Sequence, residues 1–351
     1  MTMRRLFPVL GIIGIALLFA PLTGCAPDIG DSDAALLLED VLAGTRHSRL
    51  KARTPAPTRR TIQYTIDDRQ NIADLYVSPQ GAQAGIVLIP GVVEDSKDDV
   101  RLIALANSLA RLRFAVLVPE VSGLRRFHIR TSDVRIMADA FRYLVSKPEL
   151  APHGQAGFGG FSYGASIVLM ASLETDIRNK VRYVLGFGGY HDMTNNVTYF
   201  TTGYYREEQT GTLKYRRPHG YPKKVFTISN SALLQSKADE RALYELIDNK
   251  DPQRVAALID KLSPRIKNEL QGISPSNRDL SQIKAKVILL HGRGDTMIPY
   301  TESIALAQAL PKDQVTLFLI EGYAHTDVKP ERGDLPQLLG AMELLMQQRV
   351  E

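Results

Sequence analysis

The sequence predicts an α/β protein built on a mostly parallel sheet of eight strands, with helices on both faces of the sheet. Eight short apolar runs, rich in β-branched and aromatic residues, predict the strands. Amphipathic helical windows separate the later runs, and parallel strands need such crossover helices. After the sixth run this alternation stops over residues 191–283. The sequence therefore predicts a sheet core that carries a large insertion.

Each strand and helix has its own sequence pattern. The predicted strands cover residues 61–66, 72–77, 85–90, 114–121, 155–161, 181–187, 286–290 and 315–320. The turn residues Asp67 and Asp68 join the first two strands into an antiparallel hairpin. Apolar stripes at helical spacing predict three of the helices, on Leu102, Leu105, Ala106 and Leu109, on Val134, Ala138, Phe141 and Val145, and on Leu335, Leu338, Leu339, Met342, Leu345 and Met346.

The insertion over residues 191–283 divides the core into two parts, residues 61–190 and 284–351. It contains helical windows near residues 240–247 and 255–262. Its first half interleaves basic residues with the aromatic residues Tyr199, Phe200, Tyr204, Tyr205, Tyr215 and Tyr221. A long insertion at a strand end of a compact sheet is usually functional. We therefore expect residues 191–283 to form a cap over the sheet.

The start of the chain predicts export. Two arginines precede an uncharged run over residues 6–20, and Leu22-Thr23-Gly24-Cys25 follows at once. This layout is typical of a signal peptide over residues 1–24 and is short for a membrane span. The four residues resemble the lipobox of bacterial lipoproteins, which implies that Cys25 is acylated, with palmitate-like chains, and becomes the mature N-terminus. We expect a lipidated tether with a short helix over residues 25–60, anchored to a membrane on the extracytoplasmic side of the bacterial cell envelope; the alternative is a soluble secreted protein.

Composition excludes several classes of protein. The chain has 43 Lys and Arg against 38 Asp and Glu, and a formal net charge of +5 is too mild and too scattered for a nucleic-acid partner. Cys25 is the single cysteine, which excludes an internal disulfide framework, a CxxC redox pair and a cysteine-rich zinc site. The sequence has no HExxH motif and no phosphate loop, and the Gly-Phe-Gly at residues 157–159 lacks the rest of a dinucleotide fingerprint. We therefore predict no cofactor and no metal.

A candidate nucleophile follows the fifth predicted strand. Residues 160–164 read Gly-Phe-Ser-Tyr-Gly, and an apolar helical window begins immediately after them. A serine nucleophile needs its hydroxyl clear of the backbone and beside a helix N-terminus. Small residues two before and two after the serine permit the strained turn that achieves this. Ser162 is therefore the candidate nucleophile, and a simple helix cap is the alternative role.

Two further candidate residues follow the last two strands. Asp295 lies in His-Gly-Arg-Gly-Asp at residues 291–295, and His325 lies in Glu-Gly-Tyr-Ala-His at residues 321–325. A serine hydroxyl needs an imidazole to accept its proton, and the imidazole needs a carboxylate to fix its tautomer. Carboxyl ends of parallel strands line one crevice in an open α/β sheet. We expect Asp295 and His325 to meet Ser162 there; a helix-capping aspartate and an ordinary loop histidine are the alternatives.

With these motifs in this order, the chain from residue 61 onward resembles the α/β-hydrolase fold family. The resemblance implies that Ser162 is the nucleophile. It also implies that His325 acts first as general base and then as general acid, and that Asp295 is the acid that orients it. In some relatives of this fold the acid follows the sixth strand, where this chain has Asp192. Asp192 is therefore the alternative acid.

An oxyanion hole needs two backbone N–H donors aimed at the developing negative charge. The resemblance implies that Tyr163, directly after the candidate nucleophile, supplies one of them. The other is expected in the loop after the third strand, where this chain reads Pro90-Gly91-Val92 and many family members have His-Gly. We assign this donor to Val92, with Val93 as the alternative.

These residues predict a serine hydrolase that cleaves a carboxylic ester through an acyl-enzyme intermediate. The expected partners are a small-molecule or lipid-like ester substrate and the membrane that holds Cys25. Esters come first because they need the least help in expelling their leaving group. An amidase, a peptidase or an acyltransferase would use the same three side chains. A catalytically inactive ligand-binding lipoprotein is the alternative from another class.

Overall fold

The structure is a computed structural model that describes residues 30–207, 210–325 and 331–349. The predicted signal peptide and Cys25 lie outside the described residues. By its internal contacts the chain divides into the unit Met1–Asp31 and the unit Ser32–Glu351. The helices and strands of the described residues all belong to the second unit.

The described residues form ten β-strands, twelve α-helices and several short 3₁₀ turns. The strands are β1 (Thr58–Ile66), β2 (Arg69–Val77), β3 (Ala84–Ile89), β4 (Phe114–Pro119), β5 (Ala156–Phe161), β6 (Val181–Phe187), β7 (Tyr204–Arg206), β8 (Leu213–Tyr215), β9 (Lys286–Gly292) and β10 (Val315–Ile320). The helices are α1 (Asp33–Ala43), α2 (Arg49–Arg53), α3 (Val100–Arg111), α4 (Ser132–Val145), α5 (Tyr163–Ala171), α6 (Met193–Thr202), α7 (Gly220–Ser231), α8 (Lys237–Asp248), α9 (Val255–Asp260), α10 (Pro264–Gly272), α11 (Thr301–Ala309) and α12 (Leu335–Met346). The 3₁₀ turns are Ser96–Asp98, Leu124–Arg126, Pro152–Gly154, Pro252–Arg254, Pro275–Asn277, Leu280–Gln282 and Arg332–Asp334.

The main sheet has eight strands in the order β1-β2-β4-β3-β5-β6-β9-β10. Strand β2 runs antiparallel to both of its neighbours, and the other neighbouring pairs are parallel. Each of the eight predicted runs forms one of these strands. The prediction of a mostly parallel eight-stranded α/β sheet is therefore confirmed.

The central strands are apolar because helices cover both of their faces. All six residues of β3 and all six of β4 are buried, whereas β1, at the edge of the sheet, is largely exposed. Continuous apolar runs of this kind are the signature of buried parallel strands. Two groups of helices cover the sheet: α4 packs with α5, and α12 and α3 both contact α1.

The segment before the sheet differs from the tether that we expected over residues 25–60. It contains two helices, α1 and α2, and strand β1 begins at Thr58. Ser32 caps α1 by accepting a hydrogen bond from the Ala35 N–H at 3.2 Å. Leu37 and Leu50 are fully buried. The apolar face of α1 is thus part of the core, because α3 and α12 leave a surface that this helix covers.

The insertion lies between β6 and β9. It contains helices α6 to α10 and a two-stranded antiparallel hairpin of β7 and β8. The two helical windows that the sequence indicates correspond to α8 and α9. Helix α7 packs against α6 and α8, so the insertion has its own layer of helices. Within the described residues, no helix is both long enough and apolar enough to cross a bilayer.

Candidate active site

Ser162 stands at the turn between β5 and α5 in a strained backbone conformation. Its φ and ψ angles are 54° and −126°, a combination that residues other than glycine rarely adopt. The Ser162 N–H donates to the Phe187 carbonyl oxygen at 2.7 Å, which fixes the turn to the end of β6. Its side chain makes no capping hydrogen bond to α5, although the residue occupies the N-cap position. The geometry therefore leaves the hydroxyl free.

The glycines around Ser162 are there because other backbone atoms approach closely. A Cβ atom on Gly160 would lie 2.4 Å from the Gly164 carbonyl oxygen. A Cβ atom on Gly164 would lie 2.5 Å from the Pro90 carbonyl oxygen. Both distances are far shorter than non-bonded atoms tolerate, so the turn requires glycine at both positions.

Asp295 and His325 meet in a direct hydrogen bond. Asp295 follows β9 and is fully buried, and its Oδ2 lies 2.6 Å from His325 Nδ1. The other carboxylate oxygen, Oδ1, accepts hydrogen bonds from the N–H groups of Met297 at 2.7 Å and Ile298 at 3.0 Å. The backbone thus fixes the carboxylate, and the carboxylate fixes the imidazole.

A second histidine contacts the same carboxylate, and the sequence analysis missed it. His291 is fully buried, and its Nε2 lies 3.2 Å from Asp295 Oδ2 and 3.0 Å from the Ile298 carbonyl oxygen. Two acceptors around Nε2 mean that this nitrogen carries the proton. Its Nδ1 lies 2.6 Å from Ser303 Oγ and so accepts from that hydroxyl. The signal was present in the sequence, because His291 opens the motif that ends in Asp295.

These contacts set the charge of Asp295. Burial alone would raise the pKa of its carboxyl group, but the two neighbouring imidazoles, His325 and His291, more than offset that effect. The electrostatic attraction of these rings and their hydrogen bonds hold the pKa of Asp295 well below its usual range. The carboxylate is therefore ionised at neutral pH, as a group that stabilises an imidazolium must be.

Ser162 follows β5, and one strand, β6, separates it from β9, which Asp295 follows. Gly188 continues the chain directly from Phe187, which holds the Ser162 N–H. A Cβ atom on Gly188 would lie 3.6 Å from His325 Cε1 and 3.8 Å from Asp295 Oδ2. Among the described residues the Ser162 hydroxyl has no hydrogen bond to His325. Such bonds are often long without substrate and tighten when it binds.

The loop that carries the candidate oxyanion donors Val92 and Val93 contacts Ser162. A Cβ atom on Gly91 would lie 3.1 Å from Ser162 Cβ, so the loop after β3 passes directly over the serine. The N–H groups of Val92, Val93 and Tyr163 have no acceptor among the described residues. Unpaired donors beside a free hydroxyl are what an oxyanion hole requires.

The side chain of Tyr163 holds the turn that carries Ser162 against the start of α4. Its hydroxyl lies 2.9 Å from Asp133 Oδ2 and 3.2 Å from the Arg130 carbonyl oxygen, at the start of α4. Burial raises the pKa of Asp133 to about 6, although the hydrogen bond from Tyr163 lowers it. The residue that follows Ser162 is therefore anchored to a neighbouring helix.

Asp192, the alternative acid, makes other contacts. It is the N-cap of α6, and its Oδ1 accepts from the Thr194 N–H at 2.7 Å. Its Oδ2 accepts from Ser276 Oγ at 2.6 Å. Its own N–H donates to Glu302 Oε2 at 2.8 Å, and burial raises the pKa of Glu302 to about 7. The structure thus brings Asp295, and not Asp192, to His325.

The strand order, the reversed β2 and the strand-to-helix turn at Ser162 define the α/β-hydrolase fold. The sequence matches no protein-family model and no curated protein. In the described part of the chain, no group of three or more His, Cys, Asp or Glu side chains could hold a metal ion.

Solved structures share this fold at low sequence identity. The acylaminoacyl peptidase of Pyrococcus horikoshii aligns with 84% of this chain and 42% of its own length, at 14% identity and a TM-score of 0.52. A puromycin-hydrolyzing peptidase of Mycobacterium tuberculosis aligns with 83% of this chain and 38% of its own, at 17% identity and a TM-score of 0.51. A 2,6-dihydroxy-pseudo-oxynicotine hydrolase aligns with 84% of this chain and 70% of its own, at 13% identity and a TM-score of 0.52. This chain spans less than half the length of either peptidase.

Proposed function

We propose that this protein is a serine hydrolase that cleaves a carboxylic ester through an acyl-enzyme intermediate. The observation that carries the proposal is the 2.6 Å contact between His325 Nδ1 and Asp295 Oδ2, at the strand ends beside Ser162. A carboxylate bonded to Nδ1 keeps the proton on that nitrogen, so Nε2 is free to accept a proton from a serine hydroxyl.

In the acylation half of the reaction, Ser162 Oγ attacks the ester carbonyl carbon while His325 Nε2 takes the hydroxyl proton. The N–H groups of Tyr163 and Val92 hold the negative oxygen of the tetrahedral intermediate. Asp295 stabilises the imidazolium that forms. When the intermediate collapses, the bond to the leaving oxygen breaks and His325 passes its proton to the departing alcohol.

Deacylation repeats these steps with water. His325 Nε2 removes a proton from a water molecule as the water oxygen attacks the acyl carbon of the intermediate. The Ser162 oxygen then leaves and recovers its proton from His325, which releases the carboxylic acid. Each half-reaction therefore begins and ends with neutral His325 and ionised Asp295.

A panel of substrates tests the ester assignment. We expect the full-length protein to hydrolyse p-nitrophenyl esters, with kcat/KM varying with acyl-chain length, and to act more slowly on aminoacyl p-nitroanilides. The reason is that an alkoxide or phenoxide leaves with less protonation than an amine. Preferred turnover of the anilides would make the protein a peptidase or amidase, and no turnover of either class by folded protein would favour a ligand-binding role.

We also propose that the protein is exported and held at the cell envelope by lipid attached to Cys25. The support is the signal-peptide layout and the cysteine at its end. Acyl chains gain about 0.8 kcal/mol for each CH₂ group buried in a bilayer, so two or more chains give stable anchoring.

Replacing Cys25 with serine should move the expressed protein from the membrane fraction to the soluble fraction. Serine cannot form the thioether on which lipid attachment depends. The matched control is Ala26→Ser, which leaves Cys25 in place and should remain with the membrane. Detergent partitioning of both variants is the measurement. Unchanged membrane association of Cys25→Ser would exclude the lipid anchor.

A further inference from the structure

One short segment of the insertion contacts the loops on both sides of Ser162. We call residues 216–221 the strap; they comprise the link between β8 and α7, residues 216–219, and the first two residues of α7. The loop after β9, residues 293–298, carries Asp295, and the loop after β3, residues 90–95, carries Val92. The strap belongs to the insertion between β6 and β9.

The N-terminal end of the strap binds backbone carbonyl groups of the loop after β9. Arg216 Nη1 donates to the carbonyl oxygens of Arg293 at 2.7 Å and Asp295 at 3.1 Å. The His219 N–H donates to the Thr296 carbonyl oxygen at 2.7 Å. Three carbonyl groups of this loop, those of Arg293, Asp295 and Thr296, are thus held by residues of the insertion. Arg216 therefore binds the backbone of the same residue whose carboxylate contacts His325.

Aromatic rings reinforce this end. The Arg216 guanidinium lies over the Tyr205 ring at 5.7 Å from its centroid, and Tyr205 stands edge-on to Tyr300 at 6.4 Å. Arg293 in turn lies over the Tyr300 ring at 5.1 Å. Cations over aromatic faces attract the rings, so the β7–β8 hairpin and the β9 loop are joined by a continuous layer of side chains.

The second end of the strap holds the β3 loop. The Tyr221 hydroxyl donates to the Val92 carbonyl oxygen at 2.7 Å. The Tyr221 ring packs edge-on against Phe127 with 5.9 Å between centroids, which sets the direction of the hydroxyl. His219 Nδ1 accepts from the Tyr221 N–H at 3.1 Å and caps α7, so this end is fixed relative to the first.

The length of the strap matches the distance that it must bridge. In the sheet, β5 and β6 lie between β3 and β9. Three steps of about 4.8 Å place the ends of β3 and β9 about 14 Å apart. Four extended steps from Arg216 to Gly220 and one helical step to Tyr221 reach up to about 15 Å between Cα atoms. The strap is therefore long enough to bridge the strand end that carries Ser162.

We propose that the strap aligns the acid and the oxyanion donors with each other across Ser162. Arg216 and Tyr221 are its positioning residues. Neither has to touch the substrate. The inference rests on the proposed hydrolase function, since it assigns the strap to the alignment of that site. A displacement of about 1 Å in a reacting group can cost about a hundredfold in rate, so small shifts of either loop matter.

Kinetics of the full-length protein test the proposal. Tyr221→Phe keeps the ring and removes only the hydroxyl that holds Val92, and we expect kcat to fall about tenfold with KM within about twofold. Arg216→Ala should lower kcat by about tenfold to a hundredfold, and Arg216→Lys should recover part of the loss. The matched controls are the exposed neighbour Arg217→Ala and the half-exposed cap residue Tyr244→Phe, which should retain the parental kcat.

Amide hydrogen exchange tests the alignment role of the strap independently of the proposed hydrolase activity. Arg216→Ala should speed amide exchange in residues 90–95 as well as in residues 293–298, because loosening one end releases the other. Arg217→Ala should change neither loop. If kcat is unchanged in both Tyr221→Phe and Arg216→Ala, the proposed alignment role of the strap is wrong, even if the melting temperature of these variants is lower. A parental protein without turnover would refute the hydrolase and the alignment role together, while coupled exchange would still establish the physical tie between the loops.

Discussion

Replacing Ser162 with alanine is expected to abolish ester turnover, with a loss in kcat of about 10⁴-fold or more. The only other hydroxyl of this turn is that of Tyr163, which is bonded to Asp133, so the variant has no free hydroxyl there that can form the acyl-enzyme. Labelling by a fluorophosphonate probe should disappear with activity, since the probe phosphonylates the same oxygen. Turnover of a p-nitrophenyl ester and gel detection of the labelled protein are the two measurements.

The matched control is Ser236→Ala. Ser236 is the N-cap of α8, and its hydroxyl accepts from the Asp239 N–H at 3.1 Å. Losing that bond should lower the free energy of unfolding by about 1 kcal/mol and leave kcat and labelling intact. Ser162→Ala should show the reverse pattern, because the Ser162 side chain makes no capping hydrogen bond. Probe labelling that survives in Ser162→Ala would assign the nucleophile to another residue.

The sheet could be predicted from the sequence because each strand carries its own signal. Strands β3 and β4 are buried on both faces, so their sequences are continuous apolar runs. Ser162, Asp295 and His325 could be located for the same reason, since each follows a recognisable strand. The convergence of Asp295 with His325 then follows from parallel strand direction alone.

The remaining contacts depend on pairs of residues far apart in the chain. The burial of α1 comes from its contact with α12, and Arg349 pairs with Asp33 at 2.6 Å across almost the whole sequence. Local patterning in residues 25–60 carries no trace of that contact, so we expected a tether there. The hydrogen bond from Tyr221 to the Val92 carbonyl could not be predicted from the sequence either, because a tyrosine in an insertion gives no indication of the carbonyl group that it binds.

Exchanging the acid for its amide is expected to have the second large effect. In Asp295→Asn, the amide oxygen keeps the bonds from Met297 and Ile298, so the NH₂ group faces His325 Nδ1. His325 Nδ1 must then accept a hydrogen bond from this NH₂ group, so the imidazole proton moves to Nε2. A protonated Nε2 can no longer accept the proton of the Ser162 hydroxyl. We expect kcat to fall by about 10⁴-fold with KM nearly unchanged.

Asp192→Asn is the control for this exchange. Asparagine caps a helix as well as aspartate does, so α6 should keep its cap and kcat should stay within about threefold of the parental value. The two variants therefore discriminate between the two candidate acids. Parental activity in Asp295→Asn, with loss in Asp192→Asn, would move the acid to the end of β6.

Stability should distinguish the two variants as well. The pKa of Asp295 is lowered in the folded protein, so its carboxylate contributes stability that is present at neutral pH. That contribution is lost as the pH falls below about 4 and through the folded pKa. The difference in free energy of unfolding between the parental protein and Asp295→Asn should therefore be largest near pH 7 and shrink in acid. Urea unfolding across this pH range measures it, and a difference independent of pH would mean that the imidazoles do not stabilise the buried carboxylate.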